Sequence, residues 1–255
     1  MLASGVQTLE VTFTPTNGEN YATAQAAVLL TVTKAAPAIA WSTPAPITYG
    51  TALSAIQLNA TAPVSGKFVY THATGDVLTA GEHTLAVTFI PTDSANHPTA
   101  QAEVRLTVTQ ATPIIKWLAP ASMIYGTALS ATQLNATASV PGKFVYTPAA
   151  GEVLTVGTQP LEVTFTPTDS TDYAAVQASV SLTITKARPV ITWPRPASID
   201  YGTPLSATQL NATASAPGKF VYIPAAGAVL SAGTHTPSVT FTPTDAANYL
   251  SLIHI

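Results

Sequence analysis

The chain repeats itself at a fixed step of 76 residues, and that step restricts its fold more than any other feature. Trp41, Trp117 and Trp193 stand at this interval, as do Tyr49-Gly50, Tyr125-Gly126 and Tyr201-Gly202. Phe13, Phe89, Phe165 and Phe241 keep it too, and so do Tyr70, Tyr146 and Tyr222. No gap is needed anywhere. Self-similarity at a fixed period marks a serial architecture in which one folded unit recurs along the chain. Cuts before Pro37, Pro113 and Pro189 give segments 1–36, 37–112, 113–188 and 189–255. The middle two read as full copies. Segment 1–36 matches only the C-terminal part of a copy, and segment 189–255 breaks from the pattern before its last strand.

One copy, 113–188, carries short β-branched runs bounded by Pro, Gly or Asp, at the spacing of an all-β sandwich. Strands are expected at Ile114–Trp117, Met123–Tyr125, Gln133–Ala138, Lys143–Tyr146 and Val153-Leu154. The last two strands are the clearest: Leu161, Val163 and Phe165 alternate with polar residues, and Val180, Leu182 and Ile184 do the same. Period-two alternation puts one set on a buried face and the other in solvent. The fold expected is all-β: tandem antiparallel immunoglobulin-like β-sandwich repeats of about seven strands each, arranged end to end. Leu161, Val163, Phe165, Val180, Leu182 and Ile184 are expected to share one core with Trp117 and with Phe144 or Tyr146.

Only 8% of the 255 residues are charged, against roughly a quarter in ordinary globular chains. Thr, Ser, Gln and Asn must therefore solvate the surface. Abundant Val, Ile, Leu and aromatics exclude a disordered chain. No apolar run reaches the roughly 18 residues of a membrane-spanning helix, so membrane insertion of this segment is not expected. The formal charge of −3 is too mild to point to nucleic acid. With no cysteine there is no disulfide, thiolate metal site or cysteine nucleophile.

The repeat also tests for chemistry, because a group serving every copy should recur at the same step. His72, His83 and His97 face Pro148, Gln159 and Tyr173, and Asp76 faces Glu152 and Ala228. No spacing matches a catalytic triad or a metal-ligand set, and no glycine-rich phosphate loop is present. No catalytic residue, cofactor or metal is expected, and the chain is read as not an enzyme. Asp169, in the turn Pro167-Thr168-Asp169 to Tyr173, reads as an Asx-turn residue, with Tyr173 folding back as an apolar plug. Calcium is the competing reading, but only Asp172 joins Asp169, and Asn17 stands at the equivalent place in the first segment.

Three recurring features invite other roles. Asn59, Asn135 and Asn211 begin Asn-Ala-Thr sequons but read as outward strand residues. Trp41, Trp117 and Trp193 suit either a sugar platform or the core, and their spacing from Ile39, Ile115 and Ile191 favours the core. Lys67, Lys143 and Lys219 precede Phe-Val-Tyr in every copy. They are the candidates for a ligand face; cations that keep an edge strand from pairing are the plainer account.

The ordered blocks I-x-Y-G-T-x-L-S-A-x-Q-L-N-A-T-A, G-K-F-V-Y, V-T-F-x-P-T-D and L-T-V-T-K-A resemble the YGX-type MBG and bacterial immunoglobulin-like repeats. The resemblance covers nearly the whole chain. It implies small β-sandwich modules in tandem on large secreted or surface-attached bacterial proteins, acting as stalks or adhesin segments, with no catalytic residues to carry over. It also implies an extracellular or cell-surface location, although no signal sequence stands in this segment. His97, where other copies have Tyr21, Tyr173 or Tyr249, departs from the pattern.

Each copy runs through Lys34-Ala35-Ala36, Gln110-Ala111-Thr112 or Lys186-Ala187-Arg188 straight into proline, without a flexible linker. Proline fixes its own φ and extends its predecessor, so neighbouring copies should meet with restricted swing. The expected partners are thus the neighbouring repeats of the same chain. Surface glycans or proteins enter only if the copies act as repeated weak binding modules. Residues 250–255 leave the pattern and resemble the translated end of a sequencing-library transposon, so they are expected to be foreign to the repeat while still able to pair as a surrogate strand. Faster hydrogen exchange is expected in 3–36 and 189–255 than in 37–188.

Overall fold

A computed structural model describes residues 2–254 and shows β-strands, turns and no helix among them. Ile255, the end of the divergent hexapeptide, lies outside the described residues, as does Met1. The chain divides into two compact units, Met1–Thr112 with Asp169–Ala174, and Pro113–Thr168 with Ala175–Ile255. The cut at Pro113 coincides with that division, whereas Pro37 and Pro189 lie inside a unit.

The first unit opens with a hairpin of β1 (Gly5–Phe13) and β2 (Ala24–Val32). Its apolar residues face water: Leu9, Val11, Phe13, Val28 and Leu30 are all exposed. Then come β3 (Ile47–Thr48), β4 (Gly66–Tyr70), β5 (Gly81–Pro91) and β6 (Ala100–Thr109), in one sheet of order β3-β6-β5-β4. Leu85, Val87 and Phe89 of β5 and Val104, Leu106 and Val108 of β6 are buried, as strict alternation dictates. Leu53 from the preceding turns completes a core that Trp41, Ile47 and Tyr49 flank.

In the second unit, β7 (Ile115–Lys116), β8 (Met123–Ile124), β9 (Thr137–Ala138), β10 (Gly142–Thr147), β11 (Gly157–Pro167) and β12 (Val176–Thr185) occupy segment 113–188. They form a four-stranded sheet, β10-β11-β12-β8, and a separate pair, β7-β9. Leu161, Leu182 and Ile184 meet Met123, Leu129 and Leu134 in the core, with Trp117, Tyr146 and Val180 packed against it. Val163 and Phe165 are also fully buried. Segment 189–255 contributes β13 (Ile191–Thr192), β14 (Thr213–Ala214), β15 (Gly218–Ile223), β16 (Ser238–Pro243) and β17 (Leu252–His254).

Three expectations need correcting. The sheets are mixed, because β3 lies parallel to β6 and β8 parallel to β12. Alternation specifies which face a residue occupies and is silent about strand direction. Gln133–Ala136 is not strand: Ser130 and Gln133 close a turn in which the Gln133 carboxamide oxygen accepts from the Ser130 N–H and hydroxyl. Short polar side chains that bond nearby backbone compete with sheet pairing in this way. The facing survives, with Leu134 and Ala136 buried and Asn135 exposed. Val153-Leu154 is reduced to a single bridge from Ala128 to Val153, leaving six strands in this segment.

Leu252–His254 pairs antiparallel with Val239–Phe241, in the register that Val176–Ala178 takes on Val163–Phe165. The divergent hexapeptide thus does supply a strand. Past it, no described strand pairs residues 233–237, whereas their counterparts Gly157–Leu161 pair with Val180–Ile184. A groove of about 530 Å³ in this segment is bounded by Trp193, Tyr201, Leu205, Leu230, His235 and Pro237.

Candidate functional site

Trp41, Tyr70 and Phe89 and their counterparts in segments 113–188 and 189–255 are packing residues, whereas Phe13 and Tyr201 are exposed. The indole N–H of Trp41, Trp117 and Trp193 donates to the carbonyl oxygens of Gln57, Gln133 and Gln209, at 3.0, 3.0 and 2.9 Å. Each indole meets Tyr70, Tyr146 or Tyr222 edge-on at 5.3–5.4 Å, and each tyrosine hydroxyl accepts the N–H of Ala60, Ala136 or Ala212. A half-buried ring with its polar atom committed to main chain is a packing residue. Phe89, Phe165 and Phe241 are fully buried against Phe68, Phe144 and Phe220. Lys67, Lys143 and Lys219 lie exposed on β4, β10 and β15, each at the edge of its sheet. Asn59 precedes the isolated bridge at Thr61 and Asn135 precedes β9, each donating to the carbonyl three residues back, Ile56 or Thr132.

The histidines do backbone work as well. His83 and His235 donate a ring N–H to the carbonyls of Thr79 and Ser231, and Gln7 and Gln159 donate their amides to Ala3 and Thr155 in the same register. No group of three metal-ligating side chains occurs among the described residues.

The geometry concentrates instead where one segment meets the next. The turn beginning at Asp93, Asp169 or Asp245 does not fold Tyr back onto its own copy. In the first unit, Asp169–Ala174 lies on segment 37–112: Tyr173 packs edge-on against Tyr49 at 5.3 Å. The Asp172 carboxylate accepts the Ala80 N–H at 2.6 Å, and the Asp172 carbonyl accepts the Ala111 N–H at 2.9 Å. The Gln110 amide donates to the Ser170 and Thr171 carbonyls, and Ala174 N–H donates to the Ala111 carbonyl.

The second unit repeats the arrangement. Tyr249 meets Tyr125 at 5.4 Å, Asn248 Oδ1 accepts the Val156 N–H at 3.0 Å, the Ala187 N–H donates to the Asn248 carbonyl, and the Leu250 N–H donates to the Ala187 carbonyl. Lys186 donates to the Ala246 carbonyl at 2.7 Å. Where segment 1–36 meets 37–112, Asn96 Oδ1 accepts from Ser4 N–H, Lys34 donates to the Ser94 carbonyl, and Ala35 N–H donates to the Asn96 carbonyl. Pro98 stands there in the place of Ala174 and Leu250 and has no N–H to give. His97 replaces it, its Nδ1–H donating to the Ala35 carbonyl at 2.8 Å. The departure at His97 is therefore a compensation for its neighbour.

Asp172 is the buried charge of these joints, at 6% exposure. Its charge, with burial second, holds the Tyr49 hydroxyl above its ordinary 10.0. From the sequence alone, Asp172 stands out only as a companion to Asp169. The better signal was the step itself, since Asn20, Asn96, Asp172 and Asn248 all offer an acceptor there.

Asn96 and Asn248 also donate Nδ2–H to Asp93 and Asp245, at 2.8 and 2.9 Å. Those bonds, made by the side chain of the asparagine, pull both carboxyls below 3.8. A carboxyl lowered in the folded state adds stability that is present above the unfolded value and disappears as pH falls through the folded one. Carbon-detected NMR titration should give midpoints below 3.8 for Asp93 and Asp245, with both turns loosening only under that pH. Midpoints at or above 3.8 would mean that the amide bonds do not form.

The Asp172 backbone N–H donates to Asp169 Oδ1 at 3.1 Å, but its side chain has no N–H to offer, so Asp172→Asn should add the side-chain bond that Asn96 and Asn248 make and remove a like charge. A gain of about 1 kcal/mol is expected by urea denaturation, the usual net value of one hydrogen bond. Tyr49 should then titrate closer to 10.0. Loss of stability would show that the carboxylate bond to Ala80 outweighs both.

No family model matches this chain, and no curated protein matches it.

Proposed function

We propose that the chain is a non-enzymatic structural spacer: a stalk segment of tandem immunoglobulin-like repeats from a large bacterial extracellular or surface protein, of the kind that builds adhesins. The observation that carries this reading is the joint. Within each unit, a turn of one segment sits on the segment before it through a tyrosine pair, a side-chain acceptor and backbone bonds in both directions, the kind of contact that a stalk of serial repeats needs. Every side chain that recurs at the repeat step and is buried is committed to the core or to main chain, as a spacer needs.

Small-angle scattering tests the reading. A stalk gives an elongated profile, whereas a radius of gyration near that of a 255-residue globule, about 18 Å, rejects it. The second reading, a binding module, rests on Lys67, Lys143 and Lys219, which stand exposed at one register on three edge strands beside exposed Val69, Val145 and Val221. Retention on a glycan array that disappears when the three lysines become alanine would favour it over the spacer.

A further inference from the structure

We propose that Tyr49 with Tyr173, and Tyr125 with Tyr249, are sites of oxidative modification, each pair joining ring to ring as dityrosine. The link would tie a turn covalently to the segment on which it sits. The rings of the two pairs meet edge-on at 5.3 and 5.4 Å, so carbons of one ring point at the other. All four side chains are half-buried, which leaves a solvent side open to an oxidant and room for the rings to turn. Both members of each pair lie inside one unit. Tyr70, Tyr146 and Tyr222 have only Trp and Phe rings beside them. Among the described residues, tyrosine meets tyrosine at these joints alone.

The co-reactant is hydrogen peroxide acting through a haem peroxidase. Each phenol gives up one electron and its hydroxyl proton. The two phenoxyl radicals form one carbon–carbon bond between their ortho positions. The proton on each of those carbons then moves to a phenol oxygen and restores both rings. The two electrons and two protons removed reduce one peroxide to two waters, so the chain loses two hydrogen atoms per link.

The two pairs differ in one respect. A phenol that has lost an electron is a strong acid, and a base placed nearby speeds the departure of its proton. Asp172 is a buried carboxylate whose charge already acts on the Tyr49 hydroxyl. Asn248 takes its place beside Tyr125 and is no base. Tyr49 and Tyr173 should therefore couple faster than Tyr125 and Tyr249. A link between residues so distant in sequence restricts the unfolded chain as a disulfide does, so the linked chain should unfold at higher urea. The inference rests on joint geometry and stands apart from the spacer reading, which scattering tests by itself.

The experiment treats the dilute full chain with a haem peroxidase and peroxide, then maps tryptic peptides by mass spectrometry. Peptides 35–67 and 144–186 should emerge joined, as should 117–143 and 220–255, each product two hydrogens lighter and fluorescing as dityrosine. Tyr173→Phe should abolish the first link alone, and Tyr249→Phe the second alone. Chain unfolded in urea before treatment should give neither. Asp172→Asn should slow the first link several-fold, to the rate of the second. A first link that is absent, that survives Tyr173→Phe through Tyr146, or that forms equally in urea overturns the proposal. So does dityrosine found only between molecules. An unchanged rate in Asp172→Asn would remove the carboxylate from the reaction.

Discussion

Phe165→Ala is expected to remove about 3–5 kcal/mol of stability, the usual range for deleting a fully buried aromatic ring. The ring is wholly inaccessible, lies 4.8 Å from that of Phe144, and projects from β11, the strand between β10 and β12. A copy of 76 residues holds only about 4–11 kcal/mol in total, so segment 113–188 should approach unfolding. Urea denaturation followed by tryptophan fluorescence, with Trp41 and Trp193 changed to phenylalanine so that Trp117 reports alone, gives the value. A loss under about 1 kcal/mol would show that the ring is not a core residue.

Gly142→Ala should cost about 1–3 kcal/mol, for the opposite reason of too much volume. A Cβ built on Gly142 overlaps the Phe165 ring and the Thr166 carbonyl oxygen, and Gly66 and Gly218 meet Phe89 and Phe241 in the same way. The obstacle is a buried ring and the backbone of the paired strand, neither of which can swing aside. The neighbouring Lys143→Ala serves as control, since an exposed edge position should change stability by no more than about 0.5 kcal/mol. Equal effects at the two positions would refute the packing account.

Burial was readable from residue alternation wherever strands are long. Leu161, Val163, Phe165, Leu182 and Ile184 are buried in the pattern their spacing requires, because period two is a property of the strand itself. Direction was not readable: nothing in Met123-Ile124 says that it runs parallel to Ile184-Thr185. The Gln133–Ala136 stretch misled because side-chain bonds from Ser130 and Gln133 outcompete a strand whose alternation is otherwise correct. The joint was half legible. The recurring Tyr and Asp were visible, but their target lies some 90 residues away in sequence, as with Asp172 and Ala80, and local patterns do not encode such pairings.

The joint also bears on how such a chain changes length. Each full copy contributes a turn at one end and a receiving surface at the other, and both belong to the same 76 residues. Excising or duplicating one whole period therefore leaves every junction chemically intact. Even the irregular junction obeys this rule, because His97 and Pro98 travel together while the residue they face is alanine at 35, 111 and 187 alike. Gain or loss of whole periods would thus yield longer or shorter folded variants in steps of 76 residues, whereas a joint-spanning insertion that is not a multiple of the period would separate a turn from the surface that receives it.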